Sequence, residues 1–264
     1  MTILEVLLIA LIQGLGEVLP LGASGLLAGL PMLAGSPEGR AALSVAAHIG
    51  ILLGLMLYLW RDVLHMSAGL WRLAKGKPDA GSGLFLRVLV GTIPAAVLGW
   101  VLIDRTQGLV GPAAIGAIIA AGGLLLLLSD KLGVTVRRIE HMGYGSALVL
   151  GLVQTLALIP GISRTGITVT LARLLGWERQ DAARFSLLLA LPLIAGHGGR
   201  TFWILSQRAE LILSPDLVIT AAVAGGAALI GVAAMMAWVN RHSYAPFAIL
   251  RILAGVVVMG LAFI

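Results

Sequence analysis

Cysteine is absent from the 264 residues, which removes disulfide frameworks, thiolate metal sites and cysteine nucleophiles together. Charge is scarce. Asp, Glu, Lys and Arg make up 11% of the chain, where a soluble domain carries about 25%, and so few charges cannot coat a globule of 27.3 kDa. Aromatic residues stand at 5%, and the basic residues form no stripe with aromatics between them. A net charge of +6 and a pI of ≈ 10.5 therefore do not signal a nucleic-acid surface. Met1-Thr2-Ile3-Leu4-Glu5 lacks the positive stretch that opens a cleaved signal, so this start is expected to remain.

What is abundant is apolar: 59% of residues are hydrophobic and the mean hydropathy is +1.03. Glycine, 35 residues, suits close helix approach in lipid. The chain is expected to be an all-α polytopic membrane protein forming one domain over 1–264, because long apolar runs rather than alternation dominate. Six spans are expected at 42–60, 84–103, 111–128, 182–199, 217–239 and 246–264, each near the ~20 residues that cross a bilayer. Two longer runs, 3–35 and 145–176, are interrupted. The first carries Gln13 and Glu17 and breaks at Pro20 and Gly22; the second breaks at Pro160-Gly161 and carries Arg164. A charge inside the membrane costs about 2.5–3.5 kcal/mol on insertion scales, and proline removes a helix hydrogen bond. Both runs therefore read as re-entrant helical hairpins whose breaks line a buried cavity.

Loop charge sets the orientation. Arg61, Arg72, Lys75 and Lys77 lie in one loop and Lys131, Arg137 and Arg138 in another, while the short loop between has Arg105 alone. Residues 61–83 and 129–144 are thus expected inside. Each half reads hairpin, span, span, span, so repeat 1 (1–128) and repeat 2 (145–264) must have opposite orientation. Both hairpins run Gln, then Pro, then Gly twelve residues after the Gln: Gln13 to Gly25 and Gln154 to Gly166. Inverted repeats set their broken helices together near the midplane, and the site is expected there.

Gln13 and Glu17 share one helix face. In Pro160-Gly161-Ile162-Ser163-Arg164-Thr165-Gly166-Ile167-Thr168, small residues leave backbone N–H groups uncovered at a new helix start, beside one guanidinium. That combination holds phosphate. A carboxylate opposite would repel a bare phosphate unless a divalent cation bridged them, so Glu17 with Arg164 suggests a metal–diphosphate site.

At these residues the chain resembles the undecaprenyl-diphosphate phosphatases, bacterial inner-membrane enzymes of the bacitracin-resistance type. Gln13-Gly-Leu-Gly-Glu17-Val-Leu-Pro20 is similar to the family's Glu/Gln-x-x-x-Glu motif, and Pro160-Gly-Ile-Ser163-Arg164-Thr165-Gly to its Pro-Gly-x-Ser-Arg-Ser-Gly motif. His48-Ile-Gly, Ile93-Pro94-Ala-Ala-Val-Leu-Gly99, Ala183-Arg184-Phe185-Ser186 to Pro192, and Pro246-Phe247-Ala248-Ile249 extend the likeness over nearly the whole chain. The resemblance implies removal of the terminal phosphate from a polyprenyl diphosphate, which recycles the lipid carrier of cell-wall synthesis. It also implies a divalent cation, Mg or Ca, and a multi-pass place in the bacterial inner membrane among its lipids, with a homodimer as candidate assembly. Glu17, Arg164 and Ser163 become the catalytic candidates, Glu17 also the metal ligand. Gln13, Ser24, His48, Gly161, Thr165, Gly166 and Thr168 become the substrate-binding candidates. One stretch departs: where the family has two serines, a Thr or Ser, Gly and His, this chain has Gly22, Ala23, Ser24, Gly25 and Leu26. Hydrolysis then falls to water with hydroxyl helpers at Ser24, Ser163 or Thr165, or else catalysis is lost and the scaffold serves as a polyprenyl-phosphate flippase or binding protein.

Each candidate also has a structural reading. Glu17 could pair with an arginine inside the membrane, Arg164 could snorkel, and Gln13 could bond a neighbouring helix. His48 could be a packing residue, Ser24 a turn residue, and Ser163, Thr165 and Thr168 a helix cap. Gly14-Leu-Gly16 lacks the third glycine of a dinucleotide loop, and the five His show no zinc spacing. Leu70 to Lys75 reads as an interfacial amphipathic stretch, and Arg200 and Arg208 as headgroup contacts.

Overall fold

The computed structural model describes residues 2–29, 37–106, 109–207 and 214–263; Arg208 lies outside them. Eleven α-helices account for nearly all of these: α1 (Ile3–Val18), α2 (Ala23–Gly29), α3 (Pro37–Tyr58), α4 (Trp60–Ala74), α5 (Ala80–Thr106), α6 (Pro112–Leu132), α7 (Tyr144–Gln154), α8 (Arg164–Leu174), α9 (Arg179–Gln207), α10 (Pro215–Val239) and α11 (Ala245–Leu261). Among the described residues the only β feature is an isolated bridge between Arg137 and Trp177.

The helix starts follow local chemistry. Thr2 and Glu5 close a reciprocal capping box on α1. Pro112 and Pro215 open α6 and α10, where proline's missing N–H has no intrahelical role. Asp79 and Ser82 exchange bonds of 2.8 and 2.9 Å at the head of α5. The Ser82 amide, and then the Arg72 guanidinium, hold the Asp79 carboxyl below its ordinary range.

Five helices, α3, α5, α6, α9 and α10, are long and apolar enough to cross a membrane. The sixth expected span is shorter than 246–264: α11 has 17 residues, at the low end of what spans a bilayer. In the other direction α5 reaches 27 residues and α9 29. The polar start of α9 continues the helix because its charges are satisfied, Arg179 donating to Asp130 and Asp181 accepting from the Ile139 amide; farther in, Arg184 grips Asp62 of α4 with two bonds. The loop expected over 61–83 is mostly α4. Asp62, Met66 and Gly69 face inward, while Trp60 and Trp71 are exposed beneath Arg61 and Lys75 at 5.3 and 4.5 Å from the ring centres.

α9 runs through the middle. Leu187, Leu188, Leu189 and Ala190 are buried in succession, as in a helix surrounded on all sides. It crosses α3, while α3 lies along α10 and α6 along α11; α1 packs on α10 as α7 packs on α5. The long pairs approach backbone to backbone. A Cβ built on Gly50 of α3 would fall 2.0 Å from the Ala221 carbonyl oxygen, and one on Gly116 of α6 would fall 2.6 Å from that of Gly255.

At the end carrying the 129–144 loop, Asp130 joins four segments. Its Oδ1 accepts from Arg173 Nε at 3.0 Å and Arg179 Nε at 2.7 Å, and its Oδ2 from the Tyr244 amide at 2.9 Å. Arg173 is fully buried and also donates to Thr135, Gly133 and Trp177. The tails of α6 and α8 and the heads of α9 and α11 are thereby fastened together.

Candidate active site

Two chain breaks meet inside the bundle. α1 stops at Val18, and the chain turns through Gly22 at φ +91 before α2. α7 ends in a 3-10 turn over Thr155–Leu158, and Gly161 at φ +98 turns the chain into α8. Both angles lie where only glycine is unstrained. The breaks touch: a Cβ on Gly25 would fall 2.5 Å from Gly161 Cα.

A cavity of ≈ 440 Å³ opens at this junction, walled by α1, α2, α3, α5, α9 and the second break. Arg164 and Glu17 face each other across it, Arg164 Nη2 lying 3.8 Å from Glu17 Oε2. The guanidinium is fixed by backbone as well, donating to Glu17 O at 3.1 Å and Ser186 O at 3.2 Å. An arginine has five N–H donors, so donors remain for a ligand. Ser163 caps α8, its Oγ accepting from Gly166 N at 3.1 Å. The amides of Arg164 and Thr165 in that first turn have no intrahelical acceptor and point out from the helix start.

Gln13, Glu17, Ser24, His48, Ser163 and Arg164 all line the cavity. Thr165 and Thr168 turn into the protein: Thr165 Oγ1 donates to Glu17 O at 3.0 Å, and Thr168 Oγ1 bonds Arg164 O at 2.8 Å and Ser186 Oγ at 2.6 Å. They hold Arg164 and the end of α1 in place. Gly161 and Gly166, expected to bind substrate, are not among the residues lining the cavity: Gly161 O accepts from Arg251 and Gly166 N donates to Ser163 Oγ. The departures from the motif are also placed: Gly22 and Ala23 line the cavity without a hydroxyl, and Leu26 packs with Ile115, Ile119 and Val258, away from it.

Four further residues were not among the site candidates, although Gln154 and Ser186 lie in stretches that the sequence singled out. Arg251 of α11 is buried, donates to Gly161 O at 3.2 Å, and lies so close to α8 that a Cβ on Gly166 would meet its Nη1 at 2.1 Å. A lone arginine in an apolar span was the available signal. Ser186 anchors both Arg164 and Thr168 from α9. Gln154 repeats the position of Gln13: each is buried on the cavity wall with an Oε1 that has no hydrogen-bond partner, and Gln154 Nε2 donates to Gly91 O at 2.7 Å. His197 of α9 stands against His48, ring centres 5.0 Å apart; one histidine in a polar-flanked span gives no signal by itself.

The chain as a whole is similar to known proteins. The family model for bacitracin resistance protein BacA matches residues 6–257. The chain is 65% identical to undecaprenyl-diphosphatase 1 of Paramagnetospirillum magneticum, over all of this chain and 98% of that one. Identity to undecaprenyl-diphosphatase 1 of Rhodospirillum rubrum is 43%, covering all of this chain and 96% of the other. It is 37% to the undecaprenyl-diphosphatase of Roseobacter denitrificans, with both chains covered in full.

Proposed function

Because the chain belongs to the bacitracin resistance protein BacA family, it is a multi-pass membrane hydrolase, and we propose that its Glu17–Arg164 centre is where undecaprenyl diphosphate loses its terminal phosphate. Undecaprenyl phosphate leaves, and the lipid carrier returns to cell-wall synthesis. The observation that carries the assignment of the centre is the meeting of two broken helices around one carboxylate and one guanidinium 3.8 Å apart.

Arg164 and the first amides of α8 take the terminal phosphate. Their hydrogen bonds strengthen as charge gathers on its oxygens, and their alignment is fixed in advance by Glu17 O and Ser186 O. Arg251 braces the Gly161 turn from behind, so the amides do not drift.

The donor set suits a hard divalent cation such as Mg or Ca. Glu17 offers a carboxylate, and Gln13 offers an amide oxygen that is buried without a partner, as an oxygen kept for a ligand would be. Among the described residues no three His, Asp or Glu converge, so the protein would hold the ion only together with the diphosphate's own oxygens. Once bound, the cation would neutralise phosphate charge. Purified protein in detergent is expected to release phosphate from undecaprenyl diphosphate, and EDTA or Glu17→Gln to cut that rate about 100-fold, a few kcal/mol of lost charge stabilisation. Release indifferent to EDTA would remove the cation from this scheme.

Water is the attacking group. Ser163 Oγ is occupied as a cap and Thr165 Oγ1 by Glu17 O, which leaves Ser24 as the hydroxyl of the two breaks that faces the cavity without a structural bond. Ser24→Ala is expected to keep phosphate release within about threefold of the parent, whereas loss of a nucleophile costs many orders of magnitude. A collapse of the rate with intact substrate binding would make Ser24 the nucleophile instead.

Trp100, Thr106 and Arg200 line the cavity at the ends of α5 and α9 opposite the basic 61–83 and 129–144 loops. With those loops inside, in the bacterial inner membrane, the cavity opens to the outer side. The shared pairings of α1 with α10 and α7 with α5 support reading the halves as inverted repeats. The cavity is too small for the prenyl tail, which passes between helices into the bilayer.

A further inference from the structure

His48 and His197 sit on the same cavity wall, contributed by the two helices that cross at the centre, α3 and α9. Their rings meet edge to face at 60°, with centres 5.0 Å apart. The first ring is oriented by its own helix. His48 Nδ1 lies 2.5 Å from Ser44 O and 3.3 Å from Ser44 Oγ; a carbonyl can only accept, so the shorter contact calls for the tautomer with hydrogen on Nδ1, which in the neutral ring leaves the lone pair on Nε2. A backbone carbonyl on one ring nitrogen is the usual brace of a histidine that ligates through the other. Two imidazoles bound to one tetrahedral ion at about 2.0–2.1 Å hold their ring centres roughly 5 Å apart, which is the separation already present.

This pair stands apart from the Glu17–Arg164 centre. Arg164 is anchored to α9 at Ser186, and His197 lies about three turns farther along the same helix, roughly 16 Å of rise. Arg200 follows less than one turn later at the mouth, with its guanidinium over the Trp100 ring at 5.5 Å. The two histidines therefore flank the path from the mouth to the reacting phosphate. Imidazole nitrogen selects borderline cations and not Mg or Ca, which prefer oxygen.

We propose that His48 and His197 form a binding site for a borderline divalent cation of the zinc class, with water filling its other positions, and that an ion held there blocks headgroup passage to the Glu17–Arg164 centre. The ion is separate from any cation used in hydrolysis; its binding does not depend on the substrate assigned above, whereas the block rests on that assignment.

The test uses Zn²⁺ alone as the probe on purified full-length protein in detergent. Calorimetry is expected to show one ion bound in the micromolar range, and Co²⁺ in its place to show the intense visible absorption of tetrahedral coordination. His48→Gln and His197→Gln should each weaken binding at least about 30-fold, the scale of losing one ligand from a site that solvent completes. Glu17→Gln should leave it unchanged. In the phosphate-release assay Zn²⁺ should inhibit the parent protein at concentrations that leave His197→Gln unaffected. Size-exclusion profiles establish that each variant is folded. Zn²⁺ bound equally by both histidine variants, or lost with Glu17→Gln, would overturn the proposal. Because binding is read without turnover, a protein inactive on undecaprenyl diphosphate would still answer it.

Discussion

Arg164→Ala is expected to lower phosphate release by about 10³-fold or more, the range seen when the arginine that stabilises a phosphoryl-transfer transition state is removed. Arg164→Lys should recover little of it. The guanidinium reaches Glu17 O and Ser186 O at once while keeping donors for phosphate, and this needs a planar fork. An ammonium carries the charge and three donors on a single nitrogen, which cannot span two carbonyls on different helices and the phosphate as the separated guanidinium nitrogens do. The loss should fall mainly on kcat, since the arginine's bonds to developing phosphate charge matter most in the transition state. Phosphate release with saturating substrate measures it, and an Arg164→Lys variant within tenfold of the parent would mean that charge alone matters here.

The second large effect is on stability. Asp130→Ala would leave Arg173, fully buried, without its carboxylate and would orphan the Tyr244 amide. Stranding one member of a buried ion pair costs about 3–5 kcal/mol. Thermal unfolding in detergent is expected to show a Tm well below the parent's, with much of the protein aggregating on purification. Asp130→Asn should lose less, because an amide oxygen still accepts from one arginine. An unchanged Tm for Asp130→Ala would show that the carbonyls around Arg173 suffice.

The same clamp marks what could and could not be read from sequence. Hydropathy and interruption located the breaks at Pro20–Gly22 and Pro160–Gly161, because a charge or a proline inside an apolar run leaves few alternatives. The Glu17–Arg164 meeting followed from the residue types that each break carries. Helix ends were less legible. α5 and α9 start before their expected spans because Asp79 and Ser82 cap the first and Asp130, far away in sequence, holds Arg179 at the head of the second, and composition does not report satisfaction. α4 was read as a basic loop since its buried face, Asp62, Met66 and Gly69, looks polar or small until α5 is set beside it and Arg184 of α9 reaches Asp62. Arg251 and His197 were missed, and Gln154 was read only as a landmark of the repeat, for a related reason: each is a single residue whose meaning is another helix's surface. Thr165 and Thr168 had the right address and point inward all the same, a matter of rotamer that motif spacing does not encode.

The glycine contacts between α3 and α10 and between α6 and α11 have a mechanical consequence. Where Gly50 meets the Ala221 carbonyl and Gly116 that of Gly255, no side-chain layer lies between the backbones. Side chains can change rotamer and let helices slide; bare backbone in contact has nothing to yield. Both seams join a helix of the first half to one of the second, the boundary across which repeats rock in proteins that alternate access. These two seams therefore hold α3 to α10 and α6 to α11 at fixed spacing, so a change of shape in this molecule would have to move each pair as one body.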